Sequence, residues 1–247
     1  MGGALIHGFY AEGQTDLLAC DIDPAVLEPF EQLGIETSTD PTKAEAADIV
    51  FVAVKPGLVR TVVSDLDLRE EQTLISIAAG VETAHIDSIT DATVVRVMPN
   101  LAAKWGLMAA AISGEEITET VRSTLELIGE VVEIDESAMD TATALNGSGP
   151  AFVFYFIQAM AAVGVQGGIA APKARILAAQ TFKGAAETVL QADDSLEELI
   201  DAVCSPKGTT IEGMGVLEDR SVEADIAAAV EAAEKRATEL AAEAANE

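Results

Sequence analysis

Basic residues are scarce: 14 Lys and Arg stand against 42 Asp and Glu over 247 residues, a formal charge of -28. A surface of that sign repels phosphate backbones and anionic membranes, so no nucleic-acid partner is expected. Cysteine and histidine are scarcer still, with two of each. Cys20 and Cys204 lie far apart and make neither a CxxC pair nor, with His7 and His85, a metal-ligand cluster. No metal site is expected, and both thiols are read as reduced. A Ser-His-Asp or Cys-His arrangement for nucleophilic catalysis is likewise missing. The chain lacks a basic segment leading into an apolar one at its start, so a secretory signal is not supported. It also lacks a long apolar run: AFVFYFIQAMAAVGV (residues 151–165) is shorter than the roughly 18 to 20 residues a membrane span needs and contains Gln158. That segment is expected to be a helix buried by other helices, in a cytoplasmic protein without membrane contact.

Hydrophobic residues make up 49% of the chain, enough to form the core of two modest domains or one large one. An acidic surface over so ordinary an apolar content fits a protein soluble in concentrated salt, where screening shortens its self-repulsion. A halophilic cytosol is the expected setting.

The pattern changes once, near Glu136. Before it, the β-branched runs DLLACDID, ADIVFVAV, QTLISIAAG and ATVVRVMPN alternate with the helical patterns PAVLEPFEQLG and PGLVRTVVSDL. Strands alternating with helices imply a parallel α/β sheet. After it, Ala-rich helical periodicity runs to the end. The reading is a Rossmann-type doubly wound domain over residues 1–136 and an all-helical domain over 137–247.

The start, MGGALIHGFY, reads as the later part of a strand-turn-helix unit with no strand in front of it. With DLLACD as the next strand and Asp21 as its carboxyl-end acid, residues 1–13 become the crossover helix of a dinucleotide-binding βαβ unit whose first strand is absent. Gly2 and Gly3 are then the tail of its phosphate loop, although a glycine pair alone more often describes a loose terminus. Asp21 alone equally describes a surface acid.

Further along, the ordered motifs MGGALI, FVAVKP, SIAAGV, RVMPN, TALNGSGPAF and SPKGTTIEGMGVLE resemble the pyrroline-5-carboxylate reductase family, over nearly the whole chain. The resemblance implies a Rossmann domain that binds NADPH or NADH. It also implies a helical domain that supplies homodimerisation and half of each active site, with larger rings of dimers occurring in the family. Its first strand ends in GxGxMG, of which this chain keeps the final MG; a start assigned too late is the expected explanation. The implied reaction is hydride transfer to the C=N bond of 1-pyrroline-5-carboxylate, giving L-proline, the last step of proline biosynthesis.

Physical readings stand beside the resemblance. The segment Ala53, Val54, Lys55, Pro56 ends a strand where a doubly wound sheet receives a dinucleotide; its plainer reading is a strand terminator, with Lys55 in solvent. Ile77, Ala78 and Ala79 end the next strand in residues that let a nicotinamide or ribose approach the backbone. The resemblance puts Asn100 on the nicotinamide side, although Leu101 and Ala102 replace the family's usual Thr-Pro. TALNGSGPAF is read as a helix interrupted by a Gly-Ser-Gly-Pro hinge. Ser205, Gly208, Thr209 and Thr210 combine hydroxyls with unpaired amides ahead of a helix, suited to a small carboxylate or to plain capping. The resemblance makes them substrate-binding, with Thr210 the catalytic hydroxyl assisting protonation of the ring nitrogen, and marks Lys207 as standing where glycine is usual. Two other readings stay open. A hydroxyacid dehydrogenase of the 6-phosphogluconate type would need a lysine and an asparagine one helical turn apart, and TALNGSGPAF offers no lysine. A non-catalytic nucleotide-binding protein or inactive relic would fit the short phosphate loop.

Overall fold

The computed structural model describes residues 1–244. The first part of the chain runs α1 (Gly2–Ala11), β1 (Leu18–Cys20), α2 (Pro24–Glu31), β2 (Glu36–Ser38), β3 (Ile49–Val52), α3 (Val59–Ser64), β4 (Thr73–Ser76), α4 (Thr83–Asp87) and β5 (Thr93–Met98). It continues through β6 (Met108–Gly114), α5 (Glu119–Glu126), β7 (Gly129–Glu133) and α6 (Met139–Ala142). A π-helix over Thr143–Ser148 then leads into α7 (Gly149–Gln166), α8 (Ala171–Gln191), α9 (Leu196–Val203), α10 (Thr209–Asp219) and α11 (Val222–Ala244).

The expected α/β sheet is present in two pieces: a parallel pair β1-β2, and a five-stranded sheet in the order β3-β4-β5-β6-β7. β3, β4 and β5 are parallel, but β6 runs antiparallel to β5, with Val97 opposite Ile112. Uniformly parallel pairing was the expectation. The segment between β5 and β6 holds only a 3-10 turn at Leu101–Trp105, too little chain for the crossover that a parallel neighbour requires.

Strand alternation loads both faces of the larger sheet. Ile75, Val95, Val97 and Ile112 pack with Leu5 and Phe9 of α1 and with Val121 and Leu125 of α5. Leu74 and Val94, one residue out of step, pack with Val50, Val59, Val63 and Ile86 on the α3–α4 side. Each such aliphatic side chain removed from water contributes about 1.5 to 3 kcal/mol. Leu17, just before β1, touches both the core under α1 and the smaller core of Ala19, Leu27, Phe30 and Ile35. Local chemistry sets the helix starts: Asp23 caps α2 with Pro24 at its first position, Thr118 caps α5, and Ser195 with Glu198 forms a capping box on α9.

The chain divides into one unit of residues 1–148 with the chain from 231 onward, and another of residues 149–230. The expected seam at 136/137 thus lies twelve residues ahead of this division. Met139 of α6 explains the difference, since it is fully buried with Met98 and Ala111 of the sheet.

One expectation about the apolar segment is corrected. TALNGSGPAF does not break the helix; it forms a π-helix continuous with α7. In addition, α7 has no buried residue within this chain, and Phe154 and Tyr155 are 67% and 70% exposed. α8 packs against it: a Cβ at Gly164 would stand 3.2 Å from Ala174. Because the helical run extends over Glu136–Gln166, one helix among the described residues is long and apolar enough, by length and composition, to cross a membrane.

Candidate functional site

The residues singled out for a dinucleotide lie at strand ends and at one helix start of the first unit. Gly2 and Gly3 open α1, whose first turn carries no side-chain cap. The leading amides of a helix have no carbonyl of their own turn to bond, which makes such an end an anion acceptor. A Cβ at Gly2 would come 3.0 Å from the Cβ of Ala53, so the helix start lies directly on the residue following β3. A Cβ at Gly3 would stand 3.2 Å from the Phe30 ring. Ala53 and Lys55 are exposed, with Val54 and Pro56 half-buried; Lys55 is the N-cap of the 3-10 turn Pro56–Leu58. Helix start, absent Cβ atoms and small strand-end residue together fit a dinucleotide diphosphate.

After β4 the three predicted positions diverge. Ile77 and Ala78 are buried in the cores on the two opposite faces of the sheet, so only their backbone is left for a ligand. Ala79 is half-buried against Met98 and Met139. Asn100 is 8% exposed and engaged at both ends: Oδ1 accepts from the Ala102 amide at 3.1 Å, and Nδ2 donates to the Asn146 carbonyl at 3.3 Å. Its side chain shapes the turn after β5. Asp21 stands at the carboxyl end of β1, half-buried, with its amide donating to the Ser38 carbonyl at 3.2 Å.

Two positioning features had no assignment from sequence. Asn146, in the π-helix, donates through Nδ2 to the carbonyls of Met98 at 2.7 Å and Ala109 at 2.8 Å. It thereby ties the end of β5 to the start of β6, while its Oδ1 is buried without a partner. An amide side chain inside an apolar helical string, followed by glycine, is the signal that could have marked it. π-turns recur at functional positions because they displace one side chain from the regular helical row. Arg96, on β5, is 3% exposed and pairs with Glu136 at 3.2 Å and Asp140 at 3.9 Å. Glu136 also accepts from the Thr83 amide at 2.9 Å and hydroxyl at 2.6 Å. Burial pushes the Glu136 carboxyl up, but the Thr83 hydrogen bonds and the Arg96 guanidinium outweigh it and hold the group below the usual carboxylate range. Arg96, Glu136 and Asp140 line a cleft of about 320 Å³ with Gly80, Glu82, Ser137 and Ala241.

The carboxylate motif lies in the second unit. The Gly208 amide donates to the Ser205 carbonyl at 2.9 Å, closing a turn with Pro206 second and Lys207 third. Lys207 has φ 61, a left-handed conformation that favours glycine at the third position of a type II turn. Gly208 caps α10 with backbone only, and a Cβ there would fall 2.3 Å from Ser205 Oγ. Ser205 and Thr209 are exposed and Thr210 is half-buried. The turn therefore delivers three hydroxyl side chains next to a helix start that no side chain caps.

Comparison with known proteins bears on both units. The family model for pyrroline-5-carboxylate reductase dimerisation matches residues 136–240, and that for the coenzyme F420-dependent NADP oxidoreductases matches residues 1–80. The pyrroline-5-carboxylate reductase of Methanosarcina acetivorans is 40% identical, the match covering 97% of this chain and 94% of that protein. The chain belongs to the pyrroline-5-carboxylate reductase family. The solved reductase of Coxiella burnetii superposes with a TM-score of 0.87 at 29% identity, covering 97% of this chain and 94% of the other. That of Plasmodium falciparum, with NADP bound, gives 0.84 at 27% identity, covering 98% and 94%. The dimerisation match spans α7, the helix without buried residues, and membership marks the chain as a self-associating oxidoreductase of small molecules with a nicotinamide cofactor.

Proposed function

We propose that the chain reduces 1-pyrroline-5-carboxylate to L-proline with NADH or NADPH. The observation that carries this reading is the start of α10: a helix end without a side-chain cap, preceded by a tight turn that presents Ser205, Thr209 and Thr210. A substrate carboxylate takes the free amides and the hydroxyls of Ser205 and Thr209, which fixes the ring. The Thr210 hydroxyl donates toward the ring nitrogen, which ends the reaction protonated. When bound, the reduced nicotinamide supplies the hydride that adds to the C=N carbon. Gly2 and Gly3 give amides to the diphosphate, the backbone at Ala53 and Ile77–Ala79 admits the sugar and ring, and Asn146 keeps the strand ends in place. No nucleophile is needed, since imine, hydride and one proton together make the amine.

The working form is a homodimer, because the exposed Phe154, Tyr155, Val163 and Leu177 need a cover that a second copy of the dimerisation region supplies. Its place is the cytoplasm of a cell with high internal salt, which the charge of -28 supports. The test follows nicotinamide absorbance with 1-pyrroline-5-carboxylate and compares wild type with Thr210→Ala. Loss of that hydroxyl should cost about 1 to 3 kcal/mol in kcat/KM with the fold retained. Wild-type kcat/KM in the variant would remove Thr210 from the reaction.

A further inference from the structure

We propose that Asp21, backed by Asp23 and Asp40, makes this chain select a dinucleotide whose adenylate ribose carries a free 2'-hydroxyl, so that it takes NADH in preference to NADPH. The proposal rests on the dinucleotide reading above and adds to it which of the two cofactors is bound. The Plasmodium falciparum relative carries NADP, so the preference is not inherited from that comparison.

The parallel pair β1-β2 places two loops side by side at its carboxyl end. Cys20 pairs with Ser38, and Asp21 follows Cys20 with its amide still donating to the Ser38 carbonyl. Asp40 follows Ser38 by two residues and lies against Cys20, whose thiol approaches the Asp40 carbonyl at 3.8 Å. Each carboxylate is fixed by local donors. Asp21 Oδ1 accepts from the Asp23 amide at 2.9 Å, and Asp23 Oδ1 accepts from the Ala25 amide at 2.9 Å. Asp40 Oδ1 accepts from the Thr42 amide at 3.1 Å and hydroxyl at 2.7 Å. These bonds hold the acids in place. The hydroxyl and amide of Thr42 lower the Asp40 carboxyl below its ordinary value. The Cys20 thiol senses the same field: burial raises its pKa first, and the charges of Asp40 and Glu36 raise it further.

Countercharge is almost missing. Before Lys55 the sequence contains one Lys or Arg, Lys43, and its charge acts on Asp40. An acid at the end of this strand of a βαβ unit accepts hydrogen bonds from ribose hydroxyls, whereas a 2'-phosphate calls for an arginine nearby. Oδ1 of Asp21 is occupied by the Asp23 amide, and its second oxygen is left for the ribose. A doubly charged 2'-phosphate at that place would meet the Asp21 carboxylate, with Asp23 and Asp40 in the adjoining loops adding charge of the same sign.

Direct titration of NADH and NADPH into the full chain, by nicotinamide fluorescence or calorimetry, tests this without turnover. In about 0.1 M salt NADH should bind about tenfold or more tightly than NADPH, the scale of one carboxylate facing a phosphate dianion in water-like surroundings. The gap should narrow in about 1 M salt, as the screening length falls from about 10 Å to about 3 Å. Asp21→Ser should weaken NADH and tighten NADPH until the two are comparable, and Asp21→Asn, which keeps the side chain's shape, should move both in the same directions. Equal or tighter NADPH binding by wild type overturns the proposal, as does a preference that both variants leave unchanged. If neither nucleotide binds wild type, the dinucleotide reading itself falls and this proposal with it; if both bind without an NADH preference, that reading stands and only the role of Asp21 is lost.

Discussion

Replacing Glu136 by glutamine should weaken the first unit by about 2 to 3 kcal/mol at neutral pH, because it leaves Arg96 buried without its nearest partner. Removing one member of a fully buried ion pair costs about 3 to 5 kcal/mol, since the remaining charge stays desolvated. Here the Arg96 side chain is 4% exposed but that of Glu136 is 29% exposed, which reduces the figure. Asp140, 3.9 Å from the guanidinium, reduces it again. Acting the other way, Thr83 donates its amide to one Glu136 oxygen and its hydroxyl to the other, and glutamine keeps a single acceptor. The sign of the pH dependence follows from the lowered carboxyl of Glu136. A group whose pKa is depressed on folding stabilises above its unfolded value, and that contribution fades as pH falls through the folded value. The gap between wild type and Glu136→Gln should therefore be full at pH 7 and shrink in acid below the ordinary carboxylate range. Urea unfolding at one fixed protein concentration, repeated along that pH series, measures it, since self-association also feeds into apparent stability. A double-mutant cycle with Arg96→Met should return a coupling of about 1 kcal/mol or more. A variant within about 0.5 kcal/mol of wild type at pH 7, or a gap that stays constant into acid, would show that the pair does not hold the turn ahead of α6 to the sheet.

Lys207 occupies a left-handed position, so Lys207→Val should be less stable than Lys207→Gly by about 1 to 2 kcal/mol, because β-branched residues tolerate that backbone poorly. Thermal shift reads the order of the two variants, and a valine variant more stable than the glycine one would contradict the turn. The exposed apolar face of α7 predicts a dimer in sedimentation at micromolar concentration and high salt, and a compact folded monomer under those conditions would refute it.

The sequence alone determined the order of elements and the chemistry of the two ligand motifs, because both are written locally. Short β-branched runs such as IVFV and TLIS become strands wherever they can be covered, and glycines without side chains at a helix start remain free for an anion wherever that helix lies. The short strand ETS and the antiparallel β6 were not legible, since a three-residue strand has no period to read and strand direction depends on how much chain lies between neighbours. The roles of Asn146, Arg96 and Asn100 were decided only in three dimensions. Asn146 is an ordinary amide in a helical string until folding sets the carbonyls of Met98 and Ala109 on either side of it. Arg96 reads as one charge in an apolar strand until the turn at Glu136–Ala138 and α6 bring Glu136 and Asp140 to it. Burial was decided in the same way: α7 has the composition of a core helix, yet its own chain leaves it exposed, because what covers a helix is a property of its neighbours and is not encoded in its own residues.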